Sequence, residues 1–377
     1  MPKVVKHILA TILAIVLLAV AVLGIYVIYL EANYSRIADN TAAEVTATTS
    51  TPDTVNVGQA YTAVTYNIGF GAYTPDYTFF MDEGYLADGT KTVGEHSRAV
   101  SEESELACTN GDISLVSTVD EDGSAPDFIL FQEVDTDSDR SYHVNQRSLI
   151  TAAFPDYTTY FAYNFHSAYL AYPFNEPIGS INSGLLTLST LRAKTATRRS
   201  YPIDESFPTK FFDLDRCFVV LSYPTCDGQE LVLVNSHMSA YDKGGTVRAR
   251  QLNMVCSFIS SEYAKGNYVI VGGDFNHALC GSIDLYPSQQ LTPDWVAELD
   301  DSELPDGFSV VQADNLADVA TCRGDDIPYE KGVTYTTTID GFIVSDNMTA
   351  TATNIDNDFE YSDHNPVRLS FSLGTNG

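Results

Sequence analysis

The chain of 377 residues carries 20 Lys and Arg against 50 Asp and Glu, a formal net charge of −30, with 44% hydrophobic and 19% charged residues. That apolar share is ordinary for globular proteins and leaves enough side chain for one large domain with a sizeable core. So acidic a chain, with almost no basic cluster beyond Arg198-Arg199, repels polyanions and counts against long nucleic acid as the main substrate; an acidic surface kept for solubility is the plainer reading of the charge.

The N-terminus comes first. Lys3 and Lys6 precede an uncharged stretch from Ile8 to Leu30, made mostly of Leu, Ile, Val and Ala. At about 1.5 Å rise per residue a helix there spans a hydrocarbon core of roughly 30 Å. The stretch is longer than a signal-peptide core, and no small-x-small cleavage pattern stands before Glu31, which favours an uncleaved anchor. With the nearby basic residues on the N-terminal side, residues 1–7 are expected in the cytoplasm, residues 8–30 in the cell membrane as a single pass, and the rest outside the cell. Residues 31–58, with the Thr- and Ala-rich run 41–54, lack the apolar surface that repays ordering and are expected to be a flexible linker. The folded domain is expected over 59–377.

Short apolar runs then recur between turn residues: YTAVTYNI (61–68), DFILFQEV (127–134), NSGLLTLS (182–189), RCFVVLSY (216–223), ELVLVNSH (230–237), NYVIVGGD (267–274), TIDGFIVS (338–345) and NPVRLSFSL (365–373). Their Val, Ile and Phe content and their length predict strands. Asp227-Gly228 joins two of them as a hairpin. Helices are predicted within 97–119, over 145–154 and over 246–265. In the last, Leu252, Val255, Cys256, Ile259 and Tyr263 fall on one stripe, with Thr246 as N-cap and Gly266 as stop. Strands and helices in this number predict an α/β (α+β) four-layer sandwich: two mixed sheets face to face, helices on the outer faces, and the transmembrane helix in front.

The six cysteines at 108, 217, 226, 256, 280 and 322 show no CxxC pair, which argues against a zinc or redox motif. An even number outside the cell permits disulfides without requiring them. Cys217 and Cys226 flank an extended run that at about 3.3 Å per residue holds them roughly 30 Å apart, beyond bridging; if any pair forms, Cys280 with Cys322, both in the long late loops, is the least implausible.

The polar residues stand at the ends of these strands. Asn67 follows AVTY, Glu133 follows FILFQ, His237 follows LVLVNS, Asp274 and Asn276 follow or flank VIVGG, and Asp363-His364 precede NPVRLSF. Each taken singly reads as a turn or surface residue. Repeated strand after strand, they read as one convergent site at an edge of the sandwich.

These segments resemble the endonuclease/exonuclease/phosphatase superfamily with the deoxyribonuclease-I-like fold: TYNI (65–68), QEV (132–134), NSHM (235–238), GGDFN (272–276), IDGFIV (339–344) and SDHNPV (362–367) occur in the family's order and cover Tyr61 to Leu373. The resemblance implies that Asn67, Glu133 and Asp363 hold Mg²⁺, with Mn²⁺ or Ca²⁺ as alternatives; hard oxygen donors of this kind suit it. It implies His364 as general base with Asp340 on its other ring nitrogen, and His237 on the scissile phosphate and leaving oxygen. Asp274 and Asn276 then position water and phosphate. Arg216 reads as a phosphate contact or as a solvent-facing charge. His277 and Lys243 are further candidates that read equally as solvated loop residues. The aromatic stretch from Tyr160 to Phe174 lines a cleft or packs a core. The long segments 71–94 and 279–331 are expected to rim the site.

The function expected is an extracytoplasmic, metal-dependent phosphoester hydrolase, phosphodiesterase or phosphatase, acting on a small or lipid-linked ester. A surface-anchored nuclease and a non-catalytic surface binding protein on the same fold are the alternatives.

Overall fold

The computed structural model describes residues 2–47, 51–212, 215–240 and 246–374. Two seven-stranded mixed sheets stand out among them. One runs in the order Thr41–Ala42, Thr195–Ser200, Cys217–Pro224, Glu230–His237, Tyr268–Asp274, Asp340–Ser345, Phe308–Val310. The other runs Met348–Asn354, Val367–Leu373, Ala60–Asn67, Phe128–Asp135, Gly179–Ser189, Thr158–Leu170, Glu44–Thr46.

Every strand near the middle is apolar on both faces, as strands covered on both sides must be. Along Phe128–Asp135, Phe128 and Leu130 turn inward to the inter-sheet core while Ile129 and Phe131 turn outward. Along Glu230–His237, Leu231 and Leu233 face the inter-sheet core, and Val232 and Val234 meet Leu252, Val255 and Ile259 of the helix Thr246–Tyr263. The outer face of the second sheet is covered by the helices Glu102–Val116 and Gln146–Ala153, through Val116 and Ile150. Both helices have local start signals. The Ser101 hydroxyl accepts from the Ser104 N–H at 3.1 Å, and Asn145 Oδ1 accepts from the Ser148 N–H at 2.8 Å. The hairpin around Asp227-Gly228 pairs Cys217–Pro224 with Glu230–His237, and Gly228 takes the positive φ of 89° that the turn needs.

One expectation changes. Residues 31–58 are not a loose tether where they are described. The N-terminal helix continues to Asn33, Arg36 pairs with Asp215 at 2.8 Å, and Thr41–Ala42 and Glu44–Thr46 each add an edge strand to one of the two sheets. Ala43 and Val55 enter the inter-sheet core. Composition missed this because edge strands take their partners from existing sheets and need little apolar surface of their own. The six cysteines are all free, Cys280 and Cys322 included. Cys322 is buried in a short bridge to His364, so its backbone serves the site.

Candidate active site

Strand register builds one wall of a cleft of about 1200 Å³. The strands ending in His237 and Asp274 run parallel and pair those two residues, while Asp274 pairs across to Asp340 on the antiparallel neighbour. In the other sheet the parallel pair Ala60–Asn67 and Phe128–Asp135 sets Asn67 opposite Gln132. Both sheets thus deliver polar strand ends to the same edge. Gly273 permits the close pairing: its φ is 152°, and a Cβ there would lie 1.9 Å from the Ser236 carbonyl oxygen.

Glu133 reaches the cleft by a different device. The ladder to Gly179–Ser189 skips register between Phe131 and Val134, and Glu133 takes φ 57°, left-handed for a non-glycine residue. A bulge of this kind re-aims one side chain out of a strand's alternation. Strain at such a position persists only where the surroundings over-determine it, and it gathers at functional sites.

Around Asp274 the polar side chains converge. Its Oδ2 lies 3.1 Å from Asn67 Nδ2, 3.4 Å from His237 Nε2 and 3.9 Å from His364 Nε2. His364 Nδ1 sits 2.8 Å from Asp340 Oδ2, which leaves Nε2 facing Asp363 at 3.6 Å and Asn67 at 3.4 Å. Glu133 Oε1 is 3.8 Å from His237 Nε2. Asn276 does not turn its amide to this cluster: Nδ2 donates to the Met238 carbonyl at 2.9 Å, and its backbone N–H donates to Asp274 at 2.8 Å. It holds Asp274 in place, and it lines the cleft.

Arg216 is buried and lines the cleft, so the solvent-facing alternative is set aside. His277 is buried as well, with Nδ1 at 2.7 Å from the Phe275 carbonyl, and is absent from the cleft wall. Lys243 lies outside the described residues. Of the aromatic stretch, Phe165 and Tyr172 line the cleft, whereas Tyr160 and Phe161 are core.

Electrostatics separate the two histidines. Burial, then the charge of Arg216, holds His237 well below the usual imidazole range, so it is neutral. Burial acts on His364 in the same direction, but Asp340, Asp363 and Asp274 outweigh it and raise it well above that range. Burial also lifts Asp274 to about 7, with the Asp340 charge adding to it, and burial raises Asp340. Burial is thus the main cause of the raised carboxyls, and neighbouring carboxylate charge adds to it.

This donor set fits a divalent cation. Glu133 and Asp363 offer carboxylate oxygens and Asn67 an amide, all hard ligands. The Asn67 amide nitrogen faces Glu133 and Asp274 while its oxygen accepts the Gly69 N–H at 3.0 Å, so for Oδ1 to serve a cation the amide turns over. Asp274, Asp340 and His364 also bring ligand atoms within 4.8 Å of one another, although His364 Nδ1 is already engaged by Asp340.

Sequence reasoning missed several residues of the cleft lining. Arg140 from the turn Asp139–Ser141, Arg323 from the short strand Cys322–Arg323, and Asp325, Tyr73 and Trp295 from loops all line it. Arg140 is bidentate to buried Asp135, at 2.9 and 3.0 Å, and stacks 3.8 Å above the Phe70 ring. Arg323 pairs with Asp325. Only the positions of Tyr73, Trp295, Arg323 and Asp325 inside the two long segments pointed toward them.

The profile of the Endonuclease/Exonuclease/phosphatase family matches residues 64–364. No curated protein matches the sequence. Among solved structures, the endonuclease/exonuclease/phosphatase from Beutenbergia cavernae DSM 12333 superposes with a TM-score of 0.53 at 12% identity, covering 84% of this chain and 72% of its own. TDP2 from D. rerio, complexed with single strand DNA product, gives a TM-score of 0.49 at 15% identity over 83% of this chain and 99% of its own. ANGEL2, a 2',3'-cyclic phosphatase in complex with adenosine-2',3'-vanadate, also gives 0.49 at 15% identity, over 83% and 96%. At 12% identity the likeness to the Beutenbergia cavernae structure is one of fold.

Proposed function

The chain belongs to the endonuclease/exonuclease/phosphatase family, and from that premise we propose that it is a membrane-anchored, extracytoplasmic, Mg²⁺-dependent phosphoester hydrolase with His364 as general base. The observation that carries this reading is His364 held at 2.8 Å by Asp340, its other nitrogen facing Asp363 and Asn67 in the cleft that Glu133 enters.

Glu133, Asp363 and Asn67 would hold the metal, whose charge, when bound, stabilises negative charge building on the phosphoryl oxygens. His364 takes a proton from the attacking water at Nε2, while Asp340 fixes the tautomer and raises the basicity of the ring. A base must be neutral, and a cation held by Asp363 would offset the carboxylate charge that keeps a proton on His364. His237, kept neutral, donates a hydrogen bond to a phosphate oxygen or to the leaving group. Arg216 supplies fixed positive charge on the same side. Asp274 lies beside His237 Nε2 at 3.4 Å and Asn276 holds Asp274, so the pair would position water and phosphate between the two histidines.

The helix Lys3–Asn33 has a mean hydropathy of 3.1 over its most apolar window, long and apolar enough to cross a membrane. Its last turns pack into the domain at Leu30, which supports retention rather than cleavage. The full-length chain is expected to sediment with membranes and to need detergent for release; recovery in the soluble fraction without detergent contradicts the anchor. The activity is tested with the full chain in nanodiscs and Mg²⁺, against phospholipids, plasmid DNA, sugar phosphates and aryl mono- and diesters. Turnover abolished by EDTA and restored by Mg²⁺ is expected, and failure on every ester class contradicts the reading.

A further inference from the structure

We propose that the cleft opens onto the bilayer holding the N-terminal helix, with a rim of aromatic side chains seated at the membrane interface, and that the substrate is a membrane-resident phosphoester whose apolar chain runs along the cleft's aromatic wall. The substrate part rests on the hydrolase reading above; the seating of the rim rests only on the anchor.

The end of the helix is built into the domain. Tyr26 Oη accepts from the Ala171 N–H at 2.9 Å and donates to the Tyr169 carbonyl at 3.1 Å, and Tyr29 Oη accepts from the Tyr169 N–H at 3.1 Å. Leu30 is buried among Phe165, Leu170, Ile178, Ile181 and Phe211. An apolar run from Ile8 to Leu30, rising about 1.5 Å per residue, slightly exceeds a hydrocarbon core of roughly 30 Å. Residues 26–30 therefore arrive at the membrane–water boundary, and the 169–171 backbone bonded to them lies at the same depth.

Beside this junction the domain exposes aromatic rings. Phe174 is 85% exposed, Phe207 60% and Tyr172 54%. Contacts tie them to the helix end: Tyr172 packs edge-on to Phe174 at 5.9 Å, and Phe207 packs edge-on to Phe211 at 5.8 Å, beside Leu30. A contiguous exposed apolar patch in water marks an interaction surface. Continuity with a membrane-crossing helix identifies the partner as the bilayer, where aromatic rings concentrate at the headgroup level.

The same residues open into the cleft. Phe165, Leu170 and Ile178 pack around Leu30 and also line it, and Tyr172 belongs to both rim and wall, with Phe80 5.7 Å behind it. An apolar path thus leads from the membrane surface to Asn67, Glu133 and His364. The phosphate of a lipid lying on this path meets the polar end while its chain stays on aromatic surface. The net charge of −30 disfavours an anionic membrane face, so a zwitterionic vesicle is the appropriate probe.

Full-length protein in phosphatidylcholine vesicles, with and without phosphatidic acid, tests this. The first readout is independent of activity: Trp295 is the one tryptophan, so Phe174→Trp adds a single reporter at the rim. Brominated phosphatidylcholine is expected to quench the added emission beyond any quenching in the parent, and absence of that quenching overturns the seated rim. The second readout compares the parent with Phe174→Ser/Phe207→Ser on the two vesicle lipids and on a soluble aryl phosphodiester. Loss of most lipid hydrolysis with aryl hydrolysis retained is expected. An equal fall on both overturns the rim's role, because it then acts through the fold. Aryl hydrolysis by the parent with neither lipid cleaved overturns the lipid substrate and leaves the hydrolase reading standing. If no ester is cleaved, the hydrolase reading falls and the substrate part falls with it, while quenching still decides the seat.

Discussion

The two walls of the cleft are made in opposite ways. The wall formed by strand ends is fully packed: Asn67, His237, Asp274 and Asp340 are each no more than 2% exposed, and their positions follow from sheet register. The rest of the cleft is lined from loops, from the short elements Asp139–Ser141 and Cys322–Arg323 and from the strand Thr158–Leu170; it is rich in apolar and aromatic residues, some of them half exposed, such as Tyr172 at 54% and Met81 at 43%. Ladder hydrogen bonds hold a reacting group within a fraction of an ångström, which proton transfer needs. A substrate's non-reacting part tolerates looser contact. On the proposed reading, the strand-end residues are expected to carry the reaction and the aromatic lining, Phe80, Phe165 and Tyr172 among it, to choose the substrate.

The comparison breaks most visibly on the strand wall. His364→Ala removes the base and is expected to cost roughly 10²–10⁴ in kcat, the usual worth of general-base assistance; near-parental turnover of a good substrate would sink the histidine mechanism. Glu133→Ala is expected to lose at least as much at low Mg²⁺ and to regain part of it as Mg²⁺ is raised, whereas His364→Ala does not respond; identical Mg²⁺ titrations of the two variants contradict the division of labour. Asp340→Asn keeps the imidazole and disturbs only its orientation and tautomer, so its rate falls between those of the parent and His364→Ala. All three require far-UV circular dichroism matching the parent.

Substitutions on the loop wall sharpen the contrast. Phe80→Ala is expected to raise KM for long-chain phosphoesters by roughly 10-fold, the scale of a lost apolar contact, with kcat and the turnover of short aryl esters nearly unchanged. A fall in kcat on both substrate types would show that this wall shares in the chemistry.

The smallest effect lies behind the strand wall. Burial, with the Asp135 charge adding to it, pushes Glu105 up to about 8 from its ordinary 4.5. The folded chain thus binds this proton more tightly than the unfolded chain does. The stability it contributes is complete below about 4.5 and is lost as pH rises toward about 8. Thermal unfolding followed through Trp295 in nanodiscs should give a midpoint that declines across that window, and Glu105→Gln should flatten the decline. An unchanged slope in the variant removes Glu105 as its source.

The strands themselves, the hairpin at Asp227-Gly228 and the helix stripe of Leu252, Val255 and Ile259 were legible in the sequence, because each depends on local alternation, a turn glycine or a 3.6-residue period. So were the strand-end polar residues. A polar residue at the end of an apolar strand is visible wherever the strand is, and Asn67, Glu133, His237, Asp274, Asp363 and His364 do line one cleft, with Asp340, which only the family resemblance pointed to, bonded to His364 behind it. Tertiary structure decided the rest. It alone turned Asn276 away to brace Asp274, buried Arg216, and aimed Glu133 through a bulge. It recruited Arg140 and Arg323 from short elements, Asp139–Ser141 and Cys322–Arg323, whose composition says nothing of direction. It also drew residues 41–46 into the edges of both sheets and bound Tyr26 and Tyr29 to the 169–171 backbone. The physical reason is common to these: each depends on where another element packs, often more than a hundred residues away as for residues 41–46, Tyr26 and Tyr29, or on a local backbone strain that packing imposes, and neither has a period or a composition for a sequence to display.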